Sequence, residues 1–503
     1  MALVCAFAAL LLGIATIFGF APFGASWLPV LTLAALFALW RRAAAPRAAA
    51  LSGFAFGVGL FGGGVSWVYI ALSSFGEMPP LLAALATLCF CAYLSLFPAL
   101  AGWCCARLAP PDSGLRLALA APLWTLTEWL RSWLLSGFPW LSLGYSQQNA
   151  SLAGYAPIGG VFLVSLAITV AAVLLAGATL AVEARRWSAA LICAVALLAI
   201  PALGYVLSTV EWSRPAGEPI AVSLVQGNIE QDVKFDPAYR NNSLLTYAEL
   251  VEQAHGRLIV LPESALPMFA DEVPGEYVER LRRDASQRGG DLLIGLFFFE
   301  PRATGADEDR YFNSVVSVGS ATTQVYRKHH LVPFGETIPA KPIFGWLIRS
   351  ILHIPLADQT PGPAYQEPFA VSGERLAVNI CYEDAFGSDI NRALPEATLL
   401  VNVTNDAWYG RSLAAEQHEQ IAAMRAIETA RPMLRATNTG ITSIIDHHGR
   451  EIARLPWFTR GVLEGNVAGR AGVTPYVRFG DVVAVLTALL VAIAVVLLAR
   501  QGS

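Results

Sequence analysis

The sequence predicts two kinds of structure in one chain: a polytopic α-helical membrane bundle of eight spans, and an extracytoplasmic α/β domain placed before the last span. Three observations predict it. Hydrophobic residues make up 55% of the 503 positions and charged ones 14%, at a mean hydropathy of +0.51, too apolar for a chain dissolved in water throughout. Charged residues are sparse before residue 210 and ordinary from there to about 478. Within that charged stretch, short Val-, Ile- and Leu-rich runs alternate with amphipathic ones, the pattern of sheets covered by helices. These shifts divide the chain into 1–210 (spans one to seven), 211–478 (the α/β domain) and 479–503 (the eighth span and a short tail). A net charge of −4 points away from a nucleic-acid partner.

About 20 mostly apolar residues cross a bilayer core. Such runs cover roughly 2–20, 26–40, 51–73, 79–106, 115–135, 155–182, 189–209 and 480–500. The second is short and holds Pro29. The first lacks a basic leader and a small-residue cleavage site, so it reads as a span rather than a signal peptide. With the N-terminus inside, the inner loops hold Arg41, Arg42, Arg47, Arg107, Arg116, Arg185 and Arg186, and Arg500 follows the last span. The short outer loops hold only Arg131. Basic residues stay on the cytoplasmic side, so both termini are expected there, with 211–478 on the outer face. Glu128 is the main ionisable residue within a span; it is expected to pair with Arg131 near the outer interface, although an intramembrane carboxylate is often functional. The stretch "LLSGFPWLSLGYSQ" (134–147) fits an interfacial aromatic belt and a lipid entrance equally well.

In the α/β domain, strands are expected at "IAVSLVQGNI", "RLIVLPES", "DLLIGLFFF", "NSVVSVG", "TTQVYRK", "ERLAVNICYED", "TLLVNVTND", "MLRATNTG", "ITSIIDHHG" and "GVLEGNVA". Helices are expected near 237–254, 275–288 and 413–430. Six of the seven cysteines (Cys5, Cys89, Cys91, Cys104, Cys105 and Cys193) lie in or beside apolar spans, where Cys is ordinarily a small hydrophobe. Cys381 is alone in the exported domain, which flags it as a reactive thiol. It ends a strand, as Glu263 in "VLPES" and Lys328 in "VYRKHHLVPFGE" end two others. Singly, each has a bland reading: a buried cysteine, a turn-capping carboxylate, a surface lysine. Together, a base, a cation and a thiol at three strand ends form a nucleophilic site, with the thiolate stabilised by a nearby cation or helix N-terminus. There is no glycine-rich phosphate loop, and no Cys/His cluster has metal-ligand spacing. No cofactor or metal is expected.

At these residues the chain resembles a known group. The Glu in "LPES", the Lys in "YRKHHLVPFGE" and the Cys in "NICYED" look like the Glu–Lys–Cys triad of the nitrilase superfamily. With "VQGNI", "NDAWYG" and eight spans added, the chain resembles the bacterial apolipoprotein N-acyltransferase family over nearly its whole length. The resemblance implies an αββα sandwich in the inner membrane's outer face. It implies acyl transfer from a phospholipid, usually phosphatidylethanolamine, to the α-amine of a diacylated apolipoprotein. Cys381 would be the nucleophile, Glu263 the general base and Lys328 the oxyanion stabiliser. Glu336 matches a second essential carboxylate, and Tyr382 and Glu383 match the residues after the family nucleophile. Trp408 matches a mobile-loop aromatic near the lipid, and Arg435 a basic residue of the same pocket. The family's "KW" after "VQGNI" is "VKFDP" here, with Phe235, which keeps an aromatic surface and loses an indole N–H.

The chemistry suits such a chain. Drawing a lipid into water costs about 0.8 kcal/mol per CH₂, so a catalyst seated on its own membrane bundle avoids exposing the acyl chain. A covalent thioester lets two bulky lipids use one cavity in turn, and exchanging an ester for an amide requires no ATP. Segments around "FFFEPRATG", "GWLIRSILHI" (345–354) and "NDAWYG" are candidate lids. The rival reading is a membrane-anchored nitrilase-type amidase with the same triad; eight spans exceed what an anchor needs. A transporter would line its bundle with charge, and these spans hold little.

Overall fold

The computed structural model describes residues 2–234, 236–302, 309–338 and 358–501. Phe235 and the candidate lid segment at 345–354 lie outside the described residues. The chain forms two compact units, one of 1–69, 79–211 and 474–503, the other of 70–78 and 212–473.

The first unit is helical. Four helices are long and apolar enough to cross a membrane: Pro80–Leu108, Ser151–Glu183, Trp187–Ser208 and Val482–Gln501. A fifth candidate is the pair Pro46–Gly64 and Val68–Phe75, bent by 59°. The other three expected spans correspond to Ala2–Ile17 (16 residues), Leu28–Arg42 (15) and Gly114–Arg131 (18). The first two are short, and the third carries Arg116, Glu128 and Arg131, all buried. Ala2–Ile17 and Pro46–Gly64 approach at small residues: a Cβ on Gly13 would collide with the Phe56 carbonyl, and one on Gly59 with that of Leu10.

One end of this unit is stitched by arginines. Arg41 Nη1 lies 3.2 Å from Asp112 Oδ1, and Arg42 Nη2 3.8 Å from Glu183 Oε2. Arg116 donates to the carbonyls of Ala43 (2.6 Å) and Ala109 (2.9 Å). Three loops rich in basic residues therefore meet at one end. Elsewhere in the unit, Arg131 donates to the carbonyls of Phe138 and Trp140 and to Ser142 Oγ, while Glu128 Oε1 accepts from Leu143 N at 2.9 Å. Both side chains thus reach inward to the loop that follows. That loop is not a surface belt: Trp140, Leu141, Leu143 and Tyr145 are buried, and only its first residues are exposed.

Among the described residues the second unit holds fourteen strands: β1 (Ser213–Pro215), β2 (Ile220–Gln226), β3 (Leu258–Val260), β4 (Asp291–Glu300), β5 (Arg310–Gly319), β6 (Val325–Arg327), β7 (Phe369–Val371), β8 (Glu374–Ile380), β9 (Leu399–Thr404), β10 (Met433–Thr437), β11 (Thr442–Ile445), β12 (Glu451–Leu455), β13 (Gly461–Val467) and β14 (Arg470–Gly472). One six-stranded sheet runs β13-β2-β3-β4-β5-β6, the other β12-β11-β10-β9-β8-β7, and β1 pairs with β14. Each large sheet has a parallel centre, β2-β3-β4 or β8-β9-β10, flanked by antiparallel strands. Val222, Leu224, Val260 and Leu293 of the first sheet share one apolar core with Val378, Val401, Val403 and Leu434 of the second. The helices Arg240–Gln253 and Gly275–Gln287 cover the first sheet through Tyr247, Leu250, Leu281 and Ala285. The helix Ala414–Thr429, almost wholly buried, packs on β10. The layers are helix, sheet, sheet, helix. This explains why central strands such as β3 and β9 read as continuous apolar runs, since they are buried on both faces.

Candidate active site

The site gathers where strands end. β8 runs apolar to Ile380, and Cys381 opens the 3₁₀ turn Cys381–Ala385. Its φ is +52°, a left-handed conformation that costs a residue with a Cβ about 1–2 kcal/mol. Glu263 follows β3, Lys328 follows β6, and both are buried. Lys328 Nζ lies 2.7 Å from Glu336 Oε1 and 3.4 Å from Glu263 Oε1. Asn313, on β5, donates from Nδ2 to Glu263 Oε1 at 2.7 Å and to Glu336 Oε1 at 3.4 Å. Glu336 Oε2 accepts from Val332 N at 2.8 Å. The ammonium is therefore held between two carboxylates that one amide also ties together.

Electrostatics connect this group to the thiol. Burial, and then the Glu263 carboxylate, push the Cys381 thiol well above its ordinary range, and the Lys328 ammonium offsets them only in part. The helix after the turn, Gly387–Ile390, has only four residues, and desolvation favours the protonated form of the sulfur. Burial works against the charge of Lys328, yet Glu336 and Glu263 hold its ammonium above the usual lysine range.

The supporting residues differ in kind. Glu383 is buried and accepts from Ile380 N (2.7 Å), His329 N (2.7 Å), His330 N (3.1 Å) and the Tyr326 hydroxyl (3.0 Å). One carboxylate thus grips the backbone just before Cys381 and just after Lys328. Burial raises its pKa, against the backbone donors that lower it. Tyr382 packs edge-on against Phe386 and His330. Trp408 is more than a third exposed and meets Phe75 edge-on at 6.1 Å.

Arg435 corrects an expectation. It is fully buried, and its guanidinium donates to Asp384 Oδ2 (3.2 Å), Asp406 Oδ2 (2.9 Å) and Asn402 Oδ1 (2.7 Å). A cation spent on two carboxylates inside the fold does not line a lipid pocket.

Three residues escaped sequence reasoning. Asn313 lay unremarked in "NSVVSVG". Lys234, within "VKFDP", is buried and donates from Nζ to the Glu263 carbonyl at 3.2 Å. Burial brings its pKa down to about 7, with Glu263 and Cys381 opposing. Tyr409, in "NDAWYG", is raised well above the ordinary phenol range by burial and then by Cys381, Asp406 and Glu263. The only sequence signal for Lys234 and Tyr409 was their position inside motifs quoted for a neighbour.

A family model described as the apolipoprotein N-acyltransferase N-terminal domain matches residues 12–174, and a carbon-nitrogen hydrolase model matches residues 221–476. An apolipoprotein N-acyltransferase of Nitrosomonas europaea is 48% identical over 475 residues, covering 94% of this chain and 93% of that protein. A relative of the same name from Methylococcus capsulatus is 44% identical, covering 93% and 91%. Another from Ralstonia nicotianae is 43% identical, covering 98% and 93%.

Proposed function

We infer the reaction of this site from one premise: this chain belongs to the apolipoprotein N-acyltransferase family and, through its second half, to the carbon-nitrogen hydrolases. It acylates the N-terminus of lipoproteins at the expense of phospholipid. In the first step Glu263 takes the Cys381 thiol proton as sulfur attacks the donor's ester carbonyl. Lys328 balances the oxyanion. Collapse breaks the ester C–O bond, forms the thioester, and the departing lysophospholipid oxygen takes the proton from Glu263. In the second step the α-amine of the diacylated cysteine attacks the thioester; Glu263 accepts the amine proton and passes it to the leaving sulfur. One ester is lost, one amide is formed, and the enzyme returns unchanged. Glu336 holds Lys328 in place, and Glu383 fixes its distance from Cys381. Phosphatidylethanolamine is the donor this reading favours.

The observation that carries the reading is the placement of Lys328 Nζ 3.4 Å from Glu263 Oε1, with both charges acting on a buried Cys381 thiol that burial and Glu263 push up. The arginine-stitched end of the helical unit supports an orientation with Arg41, Arg42, Arg116 and the termini in the cytoplasm. Seven crossings before residue 212, and an eighth after 473, would then place 212–473 on the periplasmic face. Incubation of the purified protein with phosphatidylethanolamine in mixed micelles, followed by intact-mass analysis, tests the chemistry. The expected result is one acyl gain mapping to Cys381, discharged onto a diacylated lipopeptide. An adduct at another residue overturns the assignment. A thioester that passes its acyl group only to water favours the hydrolase reading.

A further inference from the structure

Behind the nucleophile lies a closed ring of four buried charged groups. Arg435 bridges Asp384 and Asp406, and His418 bridges the same two from the other side. His418 Nδ1 is 2.8 Å from Asp406 Oδ1, and its Nε2 is 2.9 Å from Asp384 Oδ1. His418 Nε2 also lies 3.3 Å from the carbonyl oxygen of Cys381. Asn402 donates to that same carbonyl at 3.1 Å while accepting from Arg435 at 2.7 Å. All four ring side chains are at most 2% exposed.

We propose that His418 is a positioning residue: held as an imidazolium by acceptors at both ring nitrogens, it fixes the Cys381 carbonyl and so the left-handed turn that aims the sulfur. The inference rests on Cys381 being the nucleophile. A neutral imidazole has one N–H, and carboxylate and carbonyl oxygens only accept. Either neutral tautomer would point a lone pair at an aspartate oxygen less than 3 Å away. A proton placed on an aspartate Oδ1 instead would meet the same contacts, but a carboxylic acid is a much stronger acid than an imidazolium, and the Arg435 guanidinium on each Oδ2 further favours the carboxylate. The imidazolium satisfies every contact and balances the ring, with two cations and two anions. The charged groups facing His418 are Asp384 from the turn, Asp406 from the segment after β9 and Arg435 from β10, beside the Cys381 carbonyl. Burial and Arg435 work against its charge, yet Asp384 and Asp406 push its pKa up to about 9.

The test uses the full-length protein in mixed micelles with phosphatidylethanolamine, reading acyl-enzyme formation by intact mass from pH 6 to 10. Wild type should lose rate as pH rises through about 9. His418→Gln should be slower at pH 7 by roughly tenfold to a hundredfold, with little change in KM, because a small misplacement of a nucleophile has that effect. It should also lack the wild-type alkaline inflection. Asp406→Asn keeps the imidazole and removes one of its counter-charges, so its inflection should move to lower pH; this variant keeps the proposal testable if His418→Gln does not fold. A His418→Gln enzyme with wild-type rate, or one slowed with the inflection intact, overturns the proposal, as does an unmoved inflection in Asp406→Asn. Acyl-enzyme formation by Cys381→Ala would instead overturn the nucleophile assignment beneath it.

Discussion

Two groups of charges flank Cys381, and they are built to opposite rules. At the reacting side, Glu263 and Glu336 share one ammonium, Lys328; two carboxylates against one cation leave a formal charge of −1. Behind the turn, Asp384 and Asp406 meet Arg435 and the imidazolium inferred at His418; two against two leave none. The rear ring is a closed set of bonds with nothing to gain from a proton moving. The reacting side is one charge short of closure, and the adjacent amine, Lys234, sits near its neutral point at pH 7. Where protons must travel, the protein leaves a charge uncompensated; where geometry must hold, it compensates fully.

The largest effect expected from breaking this contrast is at the sulfur. Cys381→Ala should form no acyl-enzyme by intact mass and lower lipopeptide acylation by more than about 10³-fold. Next come Glu263→Gln and Lys328→Met, which remove the proposed proton acceptor and the proposed oxyanion partner. Each should slow acyl-enzyme formation by about 10²–10⁴-fold in single-turnover measurements. Lys234→Met should act more weakly and mainly through pH. In wild type, raising pH through about 7 strips a positive charge from beside Glu263 and Cys381. The variant's rate profile should lack an inflection there.

The rear ring should show itself in stability. His418 titrates near 9 when folded against an ordinary 6.5, a raised value. Its contribution is therefore fully present below about pH 6.5 and disappears as pH rises through about 9. Apparent melting temperatures from pH 6 to 10 should fall at the alkaline end in wild type and fall less in His418→Gln. The smallest effect belongs to the exposed pair of Glu252 and Arg280, each about half exposed. Arg280→Ala should change stability by less than about 0.5 kcal/mol by denaturant unfolding.

The residues proposed for the reacting side could be picked out in the sequence because each closely follows a strand, Glu263 after β3, Lys328 after β6 and Cys381 after β8. "NICYE", "VLPE" and "VYRK" all announce a side chain at a sheet edge. The rear ring was not legible. Asp384, Asp406, His418 and Arg435 sit in four segments, and only sheet order brings β8, β9 and β10 side by side. Read singly, His418 is a polar residue in mid-helix and Arg435 a charge in a strand. Asn313 was hidden for a related reason: a buried amide within an alternating strand looks like any outward polar residue. In the helical unit, apolar runs located the helices, whereas the inward turn of Glu128 and Arg131 depends on a loop that composition does not shape.

Residues 70–78 belong with the second unit although the chain visits them some 140 positions before its first strand. Phe75, on that segment, supplies the ring against Trp408, and Ile70 comes close to Gly410. A gene fragment cut at 212 and 473 would encode a sandwich missing its own earliest piece. Anyone seeking a soluble version for crystallisation or inhibitor screening would do better to graft that nonapeptide back than to trim the ends.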